Sequence, residues 1–168
     1  MRLNFLKTKT QSLVKKNKAL RANLPYTNAQ TVGIIFTVED KQKHFAVKDF
    51  IRKLEVDTKH IQVLEFLPAK TENYEFKFDF FSDKDLSFWG NITSPNALQF
   101  AETSFDFLFY IDLTANPLIL HLLARSKAKC RIGKNFEGAQ DFLELAIDSV
   151  DNTQALIDGM YKYATQLK

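Results

Sequence analysis

Strands and helices that alternate along 168 residues predict an α/β protein: a Rossmann-like three-layer sandwich with a mostly parallel sheet of five or six strands, preceded by a basic N-terminal helix. Three observations carry this expectation. Short β-branched and aromatic runs such as "TVGIIFTV" and "FDFLFYIDL" suit strands buried on both faces. The stretches between them repeat apolar residues at helical spacing. Ahead of all these lies a leader rich in lysine whose leucines fall on one stripe.

In the leader, Leu3, Leu6, Thr10, Leu13, Asn17, Leu20 and Leu24 are spaced 3-4-3-4-3-4, a narrow stripe along a helix over residues 1–24. Pro25 ends it, and residues 25–30 read as a linker to a single α/β domain over 31–168. "TVGIIFTV" is the first strand. Phe45, Phe50, Ile51 and Leu54 then mark the inward side of an amphipathic helix over 40–55. "HIQVLEFLP" is a second strand, stopped by Pro68. "YEFKFDF" alternates Tyr74, Phe76, Phe78 and Phe80 with Glu75, Lys77 and Asp79, as expected of an edge strand wet on one face. A short helix over 95–102 leads into "FDFLFYIDL". Asn116-Pro117 is an N-cap followed by proline at the first helical position, and it opens the apolar helix "LILHLLA". "AKCRIG" and "FLELAI" follow as strands. Asn152 caps a last helix with Leu156, Met160, Tyr163 and Leu167 inward.

Composition narrows the function classes. A hydrophobic fraction of 45% with 16 phenylalanines is that of an ordered core. The one cysteine, Cys130, rules out an intramolecular disulfide and a metal site of paired cysteines. No apolar run reaches the length of a membrane span, and "MRLNFLKTKTQ" lacks a signal core, so a cytoplasmic location is expected. Charge is divided unevenly. Residues 1–24 hold seven basic side chains and no acid, whereas the rest holds 16 basic against 20 acidic groups.

"VGIIF", "FSDKDLSFWGN", "FDFLFYIDLTANPLILHLLARSKAKCRIGK" and the basic leader resemble an uncharacterised family of short Bacteroidetes α/β proteins over essentially the whole chain. That resemblance implies a fold and brings no activity. Residues 105–134 are also similar to a segment in the N-terminal Rossmann-like half of heptosyltransferase-type glycosyltransferases. Such enzymes hold the nucleotide-sugar with a second Rossmann-like domain, for which 168 residues leave no room.

A nucleotide site would need a glycine-rich turn into a helix N-terminus. The first strand instead runs into Glu39-Asp40, whose carboxylates satisfy the helix dipole and repel an anion, and none of the five glycines lies in a phosphate-loop pattern. No cofactor is expected. His44, His60 and His121 lack ligand spacing, so no metal is expected either. His121 among apolar neighbours reads as a core histidine, and Cys130 in a buried strand as an inert small hydrophobe; no catalytic residue is assigned. Asp112 and Thr114, where a strand ends, either form a site in which the aspartate binds a ribose hydroxyl or a metal, or cap a turn and bond backbone. Trp89 in "DLSFWGN" either covers a ligand or anchors an interface, or else plugs the end of the core.

The leader is the strongest functional signal. Lys7, Lys9, Lys15, Lys16, Lys18 and Arg21 would engage an anionic partner, RNA or the ribosome first and an anionic membrane surface second, unless the stripe folds back onto the acidic body. The leader has no aromatics suited to stacking, so its contacts would be to phosphates. The expected function is a non-catalytic binding or scaffold module docked by its basic helix. The alternative is a small glycosyltransferase-like or nucleotide-sugar-binding domain with its site at Asp112, Thr114 and Trp89.

Overall fold

A computed structural model describes residues 1–73 and 78–168. The elements in chain order are α1 (Arg2–Asn17), β1 (Thr31–Thr37), α2 (Lys41–Val56), β2 (His60–Phe66), β3 (Asp79–Phe81), α3 (Pro95–Glu102), β4 (Phe107–Tyr110), α4 (Pro117–Arg125), β5 (Cys130–Lys134), β6 (Leu145–Ile147) and α5 (Thr153–Thr165). Among the described residues six strands form one sheet, all parallel, in the order β3-β2-β1-β4-β5-β6. β1 lies at the centre, with Thr31 opposite His60 of β2 and Val32 opposite Phe107 of β4.

The pleat of the central strands feeds two cores. Val32, Ile34 and Phe36 of β1 and Phe107 and Phe109 of β4 face α2 and α5. Ile35, Leu108 and Tyr110 face α1, α3 and α4. The α/β sandwich therefore has three layers, as the alternation of elements predicts. Helix starts are set by local chemistry. Asp40, Ser94, Asn116 and Asn152 each accept a backbone N–H of the first turn, and proline follows Ser94 and Asn116 at the first helical position.

Three inward faces differ from the periodic reading. In α2, Phe45 is 55% exposed while Lys43 and His44 are buried with Val47, Phe50 and Leu54. The helix is rotated because both polar side chains reach buried carboxylates. In the edge strand β3, Phe81 is buried and Phe80 is 47% exposed, since Phe81 packs edge-on against Phe66. The Tyr74 to Lys77 part of the expected strand lies outside the described residues. In α5, Leu156, Ile157, Met160 and Ala164 are buried, and Tyr163 is turned outward.

α1 continues through a tight turn at Lys18–Leu20 and lies alongside α4, running in the same direction. Leu6 shares a core cluster with Leu118, Ile119, Leu122 and Leu123. One turn later, Thr10 meets His121, and at the end of the helix Asn17 meets the last carbonyls of α4. The two polar members of the leucine stripe are thus its hydrogen-bonding members. Arg21 completes the contact, donating to the carbonyls of Leu123, Ala124, Ser126 and Ala128. These are carbonyls at and beyond the end of a helix, which need donors.

Candidate functional site

In this strand order β1 leaves toward α2 and β4 toward α4 on the opposite face. The ends of β1 and β4 therefore flank the crevice where open α/β sheets place ligands. Asp112 lies there, two residues beyond β4, and is 5% exposed. Its Oδ1 accepts from the Thr37 N–H at 2.8 Å and from Lys43 Nζ at 2.7 Å, and its Oδ2 accepts from the Thr37 hydroxyl at 2.7 Å. Asn116 donates from Nδ2 to that hydroxyl at 3.2 Å while its Oδ1 caps α4 through the Leu118 N–H. Tyr110 lies beneath, its hydroxyl accepting from the Asn116 N–H at 2.9 Å. Burial and the Asp112 charge hold that phenol well above its ordinary pKa.

The crevice is thus closed by a buried ion pair and the strand-end hydroxyl. Asp112 ties the β4 end to the β1 end, and Asn116 alone caps α4. Thr114 is exposed and offers its carbonyl to Tyr110. Beside the pair, between the starts of α2 and α5, a cleft of about 530 Å³ is lined by Glu39, Asp40, Asp49, Asp151, Asn152 and Lys43. Its single cation is committed to Asp112, with Glu39 3.3 Å away. Asp40 and Asn152 occupy both helix N-termini. Such a lining disfavours a phosphate on charge and on hydrogen bonding alike.

A second buried pair lies at the end of β2. His44 Nε2 is 2.9 Å from Glu65 Oε2, both side chains fully buried, and His44 packs edge-on against Phe36. Burial raises the Glu65 carboxyl above its usual range, against the opposing pull of His44 and the Asn73 side chain.

The basic residues fall into two groups. Lys9 and Arg21 are used internally: Lys9 Nζ donates to the Trp89 carbonyl at 2.9 Å and to Asn91 Oδ1, and Arg21 binds the α4 end. Burial, with Arg131 close by, lowers the Arg21 pKa to about 10. Lys7, Lys15 and Lys16 of α1 and Lys18 in the turn that follows it are exposed and take part in no ion pair among the described residues. Acid is sparse along α1 and α4, because residues 1–38 and 113–136 contain no aspartate or glutamate. Of the carboxylates beyond these stretches, Glu137 shares a groove with Lys7, and Glu102 lies 4.0 Å from Arg125 Nε. Trp89 is set against the same helix. Its ring lies 5.5 Å from Phe5 and 5.0 Å from Phe88, and Gly90 beside it adopts φ +77°. A Cβ at Gly90 would come within 2.6 Å of the Leu6 nitrogen, so glycine is what lets the loop and α1 touch.

Between that loop, α1 and α4 runs a groove of about 320 Å³ lined by Lys9, Ser12, Lys16, Asn91, His121 and Arg125. His121 is 3% exposed, and the Thr10 hydroxyl lies 2.7 Å from the Leu6 carbonyl and 2.9 Å from His121 Nδ1. A hydroxyl has one proton. Given to Leu6, it leaves Thr10 as acceptor, so His121 carries its proton on Nδ1. Burial first, then Arg125 and Lys9, lower the His121 pKa to about 4. The unfolded chain then takes up the proton first, and stability present above pH 6.5 drains as the pH falls toward 4, by up to about 3 kcal/mol. Denaturant titrations at pH 7 and pH 4.5 should show this loss. His121→Asn, whose amide can still donate to Thr10, should lessen it, and an unchanged difference would exclude His121 as the source.

Cys130 is fully buried, and burial pushes its thiol up to about 12, so it is not a nucleophile at neutral pH. What sequence reasoning missed was Lys43 as the partner of Asp112 and the pairing of Trp89 with the lysine helix. The first had one signal, a lysine three residues into a helix that begins at a strand end.

Residues 2–167 match a family described as Family of unknown function (DUF6913). The chain belongs to that family. No curated protein and no solved structure matches it. Among the described residues of this DUF6913 member, no helix is long and apolar enough to cross a membrane.

Proposed function

We propose that this DUF6913 protein is a non-catalytic binding module that docks on RNA, alone or within an assembly such as the ribosome, through the outer face of α1. One observation carries the reading. The acid-free stretches that contain α1 and α4 pack side by side, so Lys15, Lys16 and Lys18 face solvent on and after the helix that forms the cationic groove of Lys9, Lys16 and Arg125. Cations placed this way displace condensed counterions from a phosphate backbone. Chemistry elsewhere in the fold supports a non-catalytic role: Asp112 is saturated by three donors, His121 is held neutral and Cys130 is a buried thiol. The nucleotide-sugar alternative, to which the heptosyltransferase resemblance points, has weaker support because carboxylates line the strand-end cleft.

Labelled single-stranded RNA titrated at several salt concentrations tests the proposal. If about five phosphates are engaged, log affinity should fall with log salt at a slope near −3.5. Replacing Lys15, Lys16 and Lys18 together with glutamine should lessen that slope by about 2. Binding to anionic vesicles but not to RNA would replace the partner, and indifference to both at low salt would refute docking by this face.

A further inference from the structure

We infer that the partner strand is single-stranded where it meets the protein, with a base stacked on Trp89 while its phosphates follow α1. This rests on the docking reading above and adds the chemical class of contact. From sequence, the basic helix lacks an aromatic platform; the fold supplies one from 70 to 85 residues away. Trp89 is 62% exposed and Phe88 55% exposed, although the indole packs against Phe5 of α1 and Phe88 packs against the indole. Their loop is closed by a bridge between Leu86 and Ile92, held to α1 by Arg2 on the Leu86 carbonyl and Lys9 on the Trp89 carbonyl. Phe5 packs against the indole with the rings tilted by 55°. The exposure therefore does not come from a loose loop.

The platform is continuous with the cations. Phe5, Lys9, Ser12 and Lys16 follow 4-3-4 spacing along one side of α1, so the aromatic end and Lys16 are about 16 Å apart at 1.5 Å per residue. Lys9, Lys16 and Arg125 line the groove that begins at Asn91, two residues beyond the indole; among the described residues no acidic side chain lines it, and Glu102 lies 4.0 Å from Arg125 Nε. An aromatic face at the mouth of a cationic track is the recurring design of sequence-tolerant single-strand binding. A duplex cannot use it, because its bases are already stacked. Asn91, Ser12 and the Nε2 acceptor of His121 add neutral hydrogen-bonding groups along the groove.

Trp89 is the sole tryptophan, so intrinsic fluorescence reports on this contact alone. Ten-nucleotide oligouridylate and oligoadenylate, and an RNA duplex of equal length, are titrated into the full-length protein while anisotropy of a labelled strand follows binding independently. The single strands should quench Trp89 and the duplex should not. Trp89→Ala should weaken single-strand binding by about 5- to 150-fold and leave the salt slope unchanged, since stacking releases no ions. Trp89→Phe should restore most of the affinity. Salt-dependent binding with no quenching and unaltered affinity in Trp89→Ala would overturn the stacking inference and leave the docking reading standing. Equal quenching by the duplex would also overturn it. No binding of any strand would remove both.

Discussion

Deleting residues 1–24 is expected to abolish the cooperative unfolding transition of the protein. α1 covers α4, a helix apolar nearly all round whose Leu118, Ile119, Leu122 and Leu123 are buried. Without α1 that side of α4 is wet. Leu6, 1% exposed, accounts alone for about 2–5 kcal/mol when cut to alanine. Asn17 donates to the Ala124 carbonyl at 2.9 Å, and Arg21 donates to four carbonyls around the end of α4. His121 would lose its Thr10 partner as well. Set against a typical total of about 5–15 kcal/mol for a domain, the combined loss exceeds what a chain of this size retains. Thermal melts by circular dichroism, with dye binding to detect exposed apolar surface, would show a broad transition. A truncated protein that melts sharply within a few degrees of the full chain would show instead that α1 is an appendage. Leu6→Ala and Arg21→Ala give graded versions of the same test. Binding by the lysine face therefore has to be tested by neutralising exposed lysines, because removing the helix also removes the fold.

The distribution of what sequence reading reaches follows from how far apart the interacting residues lie. β1 and β4 were legible because a parallel strand covered on both faces must be apolar throughout, and "TVGIIFTV" and "FDFLFYIDL" are. Caps such as Asn116-Pro117 were legible because donor and acceptor are neighbours in the chain. Thr10 and Asn17 are polar members of a leucine stripe, and why they are buried there was hidden in the sequence, because their partners His121 and Ala124 lie more than 100 residues away. The same reason hid the α2 rotation. A periodicity count ranks Phe45 above Lys43 and His44 as a core residue, and only the carboxylates of Asp112 and Glu65 reverse that order. Tyr163 and Phe80 were misplaced by one position, the error to which a pattern count is most exposed at the end of a helix or in a three-residue strand. For the candidate interface, the charges were legible and their aromatic neighbour was not, since Trp89 reaches α1 only through the fold.

Asp112→Asn should destabilise the protein by about 3–5 kcal/mol, far more than the loss of a turn cap would. Asparagine keeps an acceptor for the Thr37 N–H but withdraws the charge opposite Lys43, whose side chain is 2% exposed. The remaining carboxylate, Glu39, is 50% exposed and 3.3 Å away, a poor replacement in a high-dielectric setting. Lys43→Met should destabilise as well, leaving the Asp112 carboxylate to the two Thr37 donors alone. The double variant discriminates, because a buried pair removed as a whole strands no charge. Lys43→Met with Asp112→Asn should recover to within about 1–2 kcal/mol of the parent, a large non-additivity between residues in contact. Urea unfolding of the four proteins measures this directly. If the single costs simply add, the two side chains are not coupled and Asp112 is free to serve a ligand. If the double variant recovers, the strand-end crevice is occupied by the protein's own ion pair, and Asp112 and Lys43 hold the ends of β1 and β4 closed at the position where open α/β sheets place ligands.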